Sequence, residues 1–174
     1  MGLFLPAVVV VVLDQLTKHL FWSNGRNYEI ITGYFNITLV KNAGAAFGMF
    51  QGARLFFVIA SFVAVVLIIY LGVRLPKDQR ARRVLLGLIL GGAVGNLIDR
   101  VATGQVTDFL QIGVAGHYWP VFNVADMGVT IGAGIFALIA EIVALAGDHA
   151  PLSFLVAGVV AAFTGFSYAI LSSA

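Results

Sequence analysis

Long apolar runs set the outline of this chain. Residues 3–21, 55–75, 84–98, 121–146 and 152–171 are dominated by Val, Leu, Ile, Phe, Ala and Gly, and polar connections separate them. About 20 apolar residues in a helix rising 1.5 Å per residue match the hydrocarbon thickness of a bilayer. The pattern predicts an α-helical integral membrane protein: a four-span core within residues 1–146, then an additional C-terminal apolar segment, 147–174, carrying an extra helix. The connection at 23–53 behaves differently. Phe35, Ile37 and Leu39 alternate with Asn36, Thr38 and Val40, a near-period-2 pattern that predicts strands, placed here within 28–48. Residues 99–120 form a second polar connection. Pro76 ends the second span.

Composition and charge orient this outline. The chain is 60% hydrophobic and 10% charged, which excludes an ordinary soluble domain. The net charge of +2 is too small to suggest a nucleic-acid partner. Five of the ten Lys and Arg residues, Arg74, Lys77, Arg80, Arg82 and Arg83, fall in one loop. The positive-inside tendency puts that loop in the cytoplasm. Counting spans, the N-terminus is cytoplasmic too, and residues 23–53 and 99–120 face outward. The apolar N-terminus lacks a basic leader and a small-residue cleavage site, so it reads as a retained first span. There is no cysteine, and His19, His117 and His149 form no HExxH-type pair, so neither a metal nor a cofactor is expected.

The polar residues gather in five short motifs: Asp14–Lys18 (DQLTK), 42–48 (NAGAAFG), 92–100 (GAVGNLIDR), 106–109 (VTDF) and 122–126 (FNVAD). All lie near the outward ends of spans, so the topology brings them to one side. Acids near lipid are costly and mark functional sites. Asp108 and Asp126 come from separate segments. If they meet, one ionised carboxylate can act as general base on water while one protonated carboxyl polarises a peptide carbonyl. A purely architectural alternative has Asp126 capping the fourth helix and Asp108 pairing with Arg100.

The remaining motif residues have two readings each. Asp14 and Lys18 are four apart on a helix and suit a structural ion pair. Asn96 and Arg100 share a helix face; Arg100 can bind a carbonyl-rich or anionic group, or snorkel to the interface. Asn42 and Asn123 can hydrogen-bond a substrate backbone or hold loops. Trp22 and Trp119 suit interfacial anchors. Gly87, Gly91 and Gly95, with Gly128 and Gly132, recur every four residues and predict close contact between the third and fourth spans.

Together, in this order and spacing, the five motifs resemble the lipoprotein signal peptidase family, also called signal peptidase II. The resemblance covers residues 13–127, and the span layout extends it to 146. It implies a bacterial inner-membrane aspartic endopeptidase that removes the signal peptide of a diacylglyceryl-modified prolipoprotein just before the lipidated cysteine. It implies Asp108 and Asp126 as the catalytic pair. Asn42, Asn96, Arg100, Asn123 and Gly92 would line or shape the substrate site. Asp14, Lys18 and Asp99 would support the architecture. It further implies an outward strand cradle, sensitivity to the peptide antibiotic globomycin, and contact with membrane lipid. A monomer is expected, since a cleft open to lipid needs no partner.

Two features depart from the family pattern. Met127 stands where a small polar residue is expected, and 152–171 goes beyond a four-span core. A rival reading is a small transporter or ion-coupled carrier. Such sites sit near the midplane between repeats, whereas these acids lie near span ends and no repeat is visible.

Overall fold

The computed structural model describes residues 2–43 and 54–144. In chain order the elements are α1 (Phe4–Asn24), β1 (Tyr28–Ile31), β2 (Phe35–Asn42), α2 (Arg54–Arg74), α3 (Arg80–Thr103), β3 (Val106–Val114), β4 (His117–Tyr118) and α4 (Val124–Ala144). Among the described residues the protein is mostly helical, with one small antiparallel sheet. Residues 44–48 of the expected strand region, and the C-terminal segment from 145 onward with its run at 152–171, lie outside the described residues.

Three helices, α1, α2 and α3, are long and apolar enough to cross a membrane; Val124–Leu138, within α4, is a shorter apolar helix. Large apolar side chains stay exposed on their outer faces, among them Leu5 and Leu16 on α1 and Phe56 and Phe62 on α2. Water would penalise such a belt, whereas lipid solvates it.

Helix α3 is the hub: α1, α2 and α4 all pack on it. At one end, Leu3, Ala7, Ile68, Leu86, Ile89 and Phe136 form the buried core. Glycines set the spacing between helices. A Cβ on Gly91 would lie 2.6 Å from the Ala7 carbonyl of α1, and one on Gly92 would collide with the Ala125 carbonyl of α4. Small residues here let backbones touch, which is how helices gain contact in lipid, where apolar burial alone offers little.

The helix α3 runs further than the apolar stretch 84–98 suggests. It begins at Arg80 and continues through Asp99 and Arg100 to Thr103. Hydropathy marks the apolar part of a span, whereas charged residues at the interface extend the same helix. Gly104, at φ 80°, ends it and donates its N–H to the Arg100 carbonyl. That turn sends the chain directly into β3.

Residues 106–114, expected only as part of a polar connection, form the nine-residue strand β3. The sheet order is β1-β2-β3-β4. Strand β2 pairs with β3 from Phe35↔Ile112 to Asn42↔Val106, and Val40 lies opposite Asp108. Backbone N–H groups of Phe109 and Leu110 donate to the Phe122 carbonyl, fixing β3 against the entry to α4. Phe109 is fully buried and its ring lies 4.8 Å from that of Phe21 on α1. Lys41 on β2 sits 4.1 Å over the Trp22 ring, a second tie between sheet and α1.

Candidate active site

The sheet, the C-terminal halves of α1 and α3, and the N-terminus of α4 meet at one end of the bundle. Asn123, which has no exposed surface, is the centre of that meeting point. It precedes α4 and forms a reciprocal cap with Asp126. The Asp126 N–H donates to Asn123 Oδ1 at 2.9 Å, and the Asn123 N–H donates to Asp126 Oδ2 at 3.1 Å. This is the capping-box arrangement, with Asn in place of Ser or Thr and Asp in place of Glu. It leaves the Asn123 amide N–H groups free to serve other partners. Nδ2 donates to Asp108 Oδ1 at 2.7 Å and to Asn96 Oδ1 at 3.1 Å.

Each of the two aspartates thus has a defined set of donors. Asp108, 3% exposed on β3, accepts from Asn123 at Oδ1 and from Asn42 Nδ2 at Oδ2, the latter at 3.0 Å. Asp126, in the first turn of α4, accepts from Asn96 Nδ2 at Oδ1, at 2.8 Å, and from the Asn123 backbone at Oδ2. The positive end of the α4 dipole adds to the donors around Asp126. Burial pushes the Asp108 carboxyl up to about 7, and the neighbouring Asp126 carboxylate pushes in the same direction. Hydrogen bonds from Asn42 and Asn123 and the charge of Lys18 oppose both. One Asn therefore bridges two neighbouring acids, one of which holds its proton to near neutrality.

Behind this pair lies a buried ionic cluster. Lys18 on α1 contacts Asp14 Oδ2 at 2.8 Å and Asp99 Oδ2 at 3.1 Å. Asp14 Oδ1 accepts the Ala125 N–H at 2.9 Å, which satisfies another orphan donor of the α4 N-terminus. Asp99 Oδ2 also accepts the Thr107 N–H at 2.9 Å, the residue beside Asp108. A single cluster on α1 and α3 therefore fixes both segments that carry the aspartates. Gly95 makes room for it: a Cβ there would lie 2.7 Å from Asp14 Oδ2.

Arg100, half-buried on α3, donates to the Asn96 carbonyl at 3.5 Å, and its guanidinium lies 5.9 Å from the Phe57 ring centroid. It is within electrostatic reach of Asp126, Asp108 and Asp99. The ion pairs among the described residues are those of Lys18, so Asp108 has no salt bridge to Arg100 there. Gly92 lies in the α3–α4 contact and makes room for the Ala125 backbone. Met127 is 41% exposed. Among the described residues, no group of three or more His, Asp and Glu side chains could hold a metal ion.

Two participants carry no signal in the sequence reading. Gln15 Nε2 lies within 3.2 Å of Asp14 Oδ2, Asp99 Oδ1 and the Gly95 carbonyl, stitching α1 to α3. Thr107 accepts from Lys41 Nζ at 2.7 Å. Gln15 stands within the first motif, but two of its partners, Gly95 and Asp99, are eighty or more residues away; Thr107 also donates its N–H to Asp99 and accepts from Asn123 at its carbonyl.

A family model described as signal peptidase (SPase) II matches residues 6–143. A lipoprotein signal peptidase of Symbiobacterium thermophilum is 48% identical over 136 residues, covering 76% of this chain and 89% of that one. One from Brevibacillus brevis is 43% identical over 141 residues, covering 79% and 93%. Two solved structures of bacterial membrane enzymes superpose well. One, at 1.9 Å resolution, has a TM-score of 0.70 and 36% identity over 83% of this chain and 92% of the other. The second, at 2.3 Å, has a TM-score of 0.68 and 37% identity over 81% and 85%. With relatives this similar along most of its length, the chain is a membrane peptidase rather than a carrier, and it belongs to the signal peptidase II family.

Proposed function

We propose that this protein is an aspartic endopeptidase that removes signal peptides from diacylglyceryl-modified prolipoproteins just before the lipidated cysteine, with Asp108 and Asp126 as its catalytic pair. The observation that carries the reading is Asn123, which donates to Asp108 while it caps Asp126. It holds a buried carboxylate and a half-buried one, from different elements, beside one another, in a chain of the signal peptidase II family.

The chemistry follows from the unequal surroundings of the two acids. Asp108, pushed up to about 7, holds the resting proton. Asp126, in the first turn of α4 where the helix dipole favours negative charge, is the ionised partner. Asp126 takes a proton from water, whose oxygen attacks the scissile carbonyl carbon. Asp108 donates its proton to the carbonyl oxygen, giving a tetrahedral diol. Collapse breaks the C–N bond, the leaving nitrogen gains a proton from Asp126, and the diol returns one to Asp108. Both acids end as they began. Arg100 and Asn42, at the edge of the pair, bind the substrate backbone, and Asn96 and Asn123 keep the acids aligned.

The membrane placement belongs to the same proposal. Residues 1–146 form the catalytic membrane domain, with α1 to α4 each crossing the bacterial inner membrane and 147–174 added to it. The basic residues at 74–83, where α2 ends and α3 begins, lie in the cytoplasm and the aspartates at the outer surface, where water and the lipidated cysteine both reach them. The enzyme acts as a monomer, takes its substrate laterally from lipid, and binds globomycin in the same cleft. Mass spectrometry of the products tests the reading. A new N-terminus at the lipidated cysteine is expected; cleavage elsewhere, or an intact prolipoprotein beside a working control peptidase, would overturn it.

A further inference from the structure

Lys18 is 4% exposed, and its ammonium faces three acceptors: Asp14 Oδ2 at 2.8 Å, Asp99 Oδ2 at 3.1 Å and Asn96 Oδ1 at 3.2 Å. An ammonium has three donors and no acceptor, so each of these bonds has a fixed sense. The Asn96 atom that faces Lys18 must be its carbonyl oxygen. Because the amide is planar, its NH2 group then points the other way, to Asp126 Oδ1 at 2.8 Å. The flipped amide would set NH2 against the ammonium and oxygen against the carboxylate, two repulsive contacts in a buried place. Asn123 Nδ2 also donates to Asn96 Oδ1, at 3.1 Å, but that amide is shared with Asp108 and the Thr107 carbonyl. Lys18 is the full charge in the set.

We infer that Lys18 is a positioning residue for peptide cleavage: it sets the Asn96 side chain so that Asn96 donates to Asp126, and so keeps Asp126 the acid that accepts the proton of water. This rests on the aspartic-peptidase reading. A purely architectural Lys18 would tie α1 to α3 through Asp14 and Asp99 and leave the chemical step alone.

Replacing Lys18 alone strands buried carboxylates and risks misfolding. Lys18→Met/Asp99→Asn removes one charge of each sign, and the new Asn can still accept the Thr107 N–H. The test measures kcat and KM on a diacylglyceryl-modified prolipoprotein in detergent for wild type, Asp99→Asn, the double variant and Asp126→Asn, with thermal unfolding to confirm the fold. The double variant is expected to lose about tenfold or more in kcat relative to Asp99→Asn, with KM within about twofold. A double variant that turns over at the Asp99→Asn rate, or that changes only KM, overturns the inference; Asp126→Asn being inert in the same assay shows that the aspartic reading still stands. An active Asp126→Asn overturns both together.

Discussion

Asn123 and Asp126 cap each other. Each accepts the other's backbone N–H, at 2.9 and 3.1 Å, and the same Asn123 side chain donates to Asp108. The first turn of α4 is therefore a helix start and half of a proposed catalytic pair at once. The architectural and the catalytic readings of Asp126 describe one arrangement.

This overlap separates two substitutions at one position. Asp126→Asn keeps an oxygen that accepts the Asn123 N–H and should melt near wild type while losing cleavage. Asp126→Ala removes the acceptor and should lose about 1 kcal/mol of stability as well. Thermal unfolding in detergent, run beside the cleavage assay, distinguishes them; equal melting of the two variants would show that the cap contributes nothing.

Close approach of α3 and α4 gives a paired test. Gly92→Ala puts a methyl group against the Ala125 carbonyl, whereas a Cβ at Gly134 meets nothing within 4 Å. Gly92→Ala should cost about 1–3 kcal/mol and cut activity, since Asn96 and Asp126 sit on the two helices it separates. Gly134→Ala should be neutral or slightly stabilising. Melting temperatures and initial rates check both.

The pH dependence of activity follows from Asp108. In the proposed mechanism it must hold its proton to donate to the substrate carbonyl, and it is pushed up to about 7. The protonated fraction falls as pH rises through that value. The profile of kcat/KM should therefore fall on its alkaline side from about pH 7, the value for the free enzyme. A flat profile to pH 9 would contradict the assignment of the proton to Asp108.

Stability carries the same signature. The folded-state value lies above the ordinary carboxyl value of 3.8, so folding favours the neutral form. That contribution is complete below about 3.8 and is lost as pH rises through about 7. Asp108→Asn cannot ionise, so its stability relative to wild type should grow between pH 4 and 8. The growth is bounded by about 1.4 kcal/mol per pH unit for one proton. Unfolding of the two proteins at matched pH values reads the difference.

Much of this architecture is legible in the sequence, for identifiable reasons. Apolar runs announce helices because lipid demands them, and α1 and α2 begin and end within a few residues of their runs. The spacing of Asp14 and Lys18 places both on one helix face, where they pair. The limits of α3 are less visible, because Arg80 and Asp99 to Thr103 belong to the helix but not to its apolar stretch. Strand β3 is hidden because Asp108 and Gln111 interrupt its apolar positions, and its pairing with β2 bridges more than sixty residues. The contact of Asn96 with Asp126 depends on the register of α3 against α4, which the expected glycine row does not set: Gly87 and Gly91 face α1, and it is Gly92 that meets α4. The aspartates stand out as costly acids near lipid and through motif resemblance, and Asn123 is a candidate beside them; that Asn123 bridges the two emerges only in three dimensions.

In the proposed mechanism Asp108 and Asp126 cleave the prolipoprotein together. Its most direct test is a gel-shift assay of purified wild type, Asp108→Asn and Asp126→Asn on one diacylglyceryl-modified prolipoprotein, with folding verified for each. A shifted, cleaved band is expected for wild type alone. Cleavage by a folded variant lacking either carboxylate, at a rate near that of wild type, would contradict it.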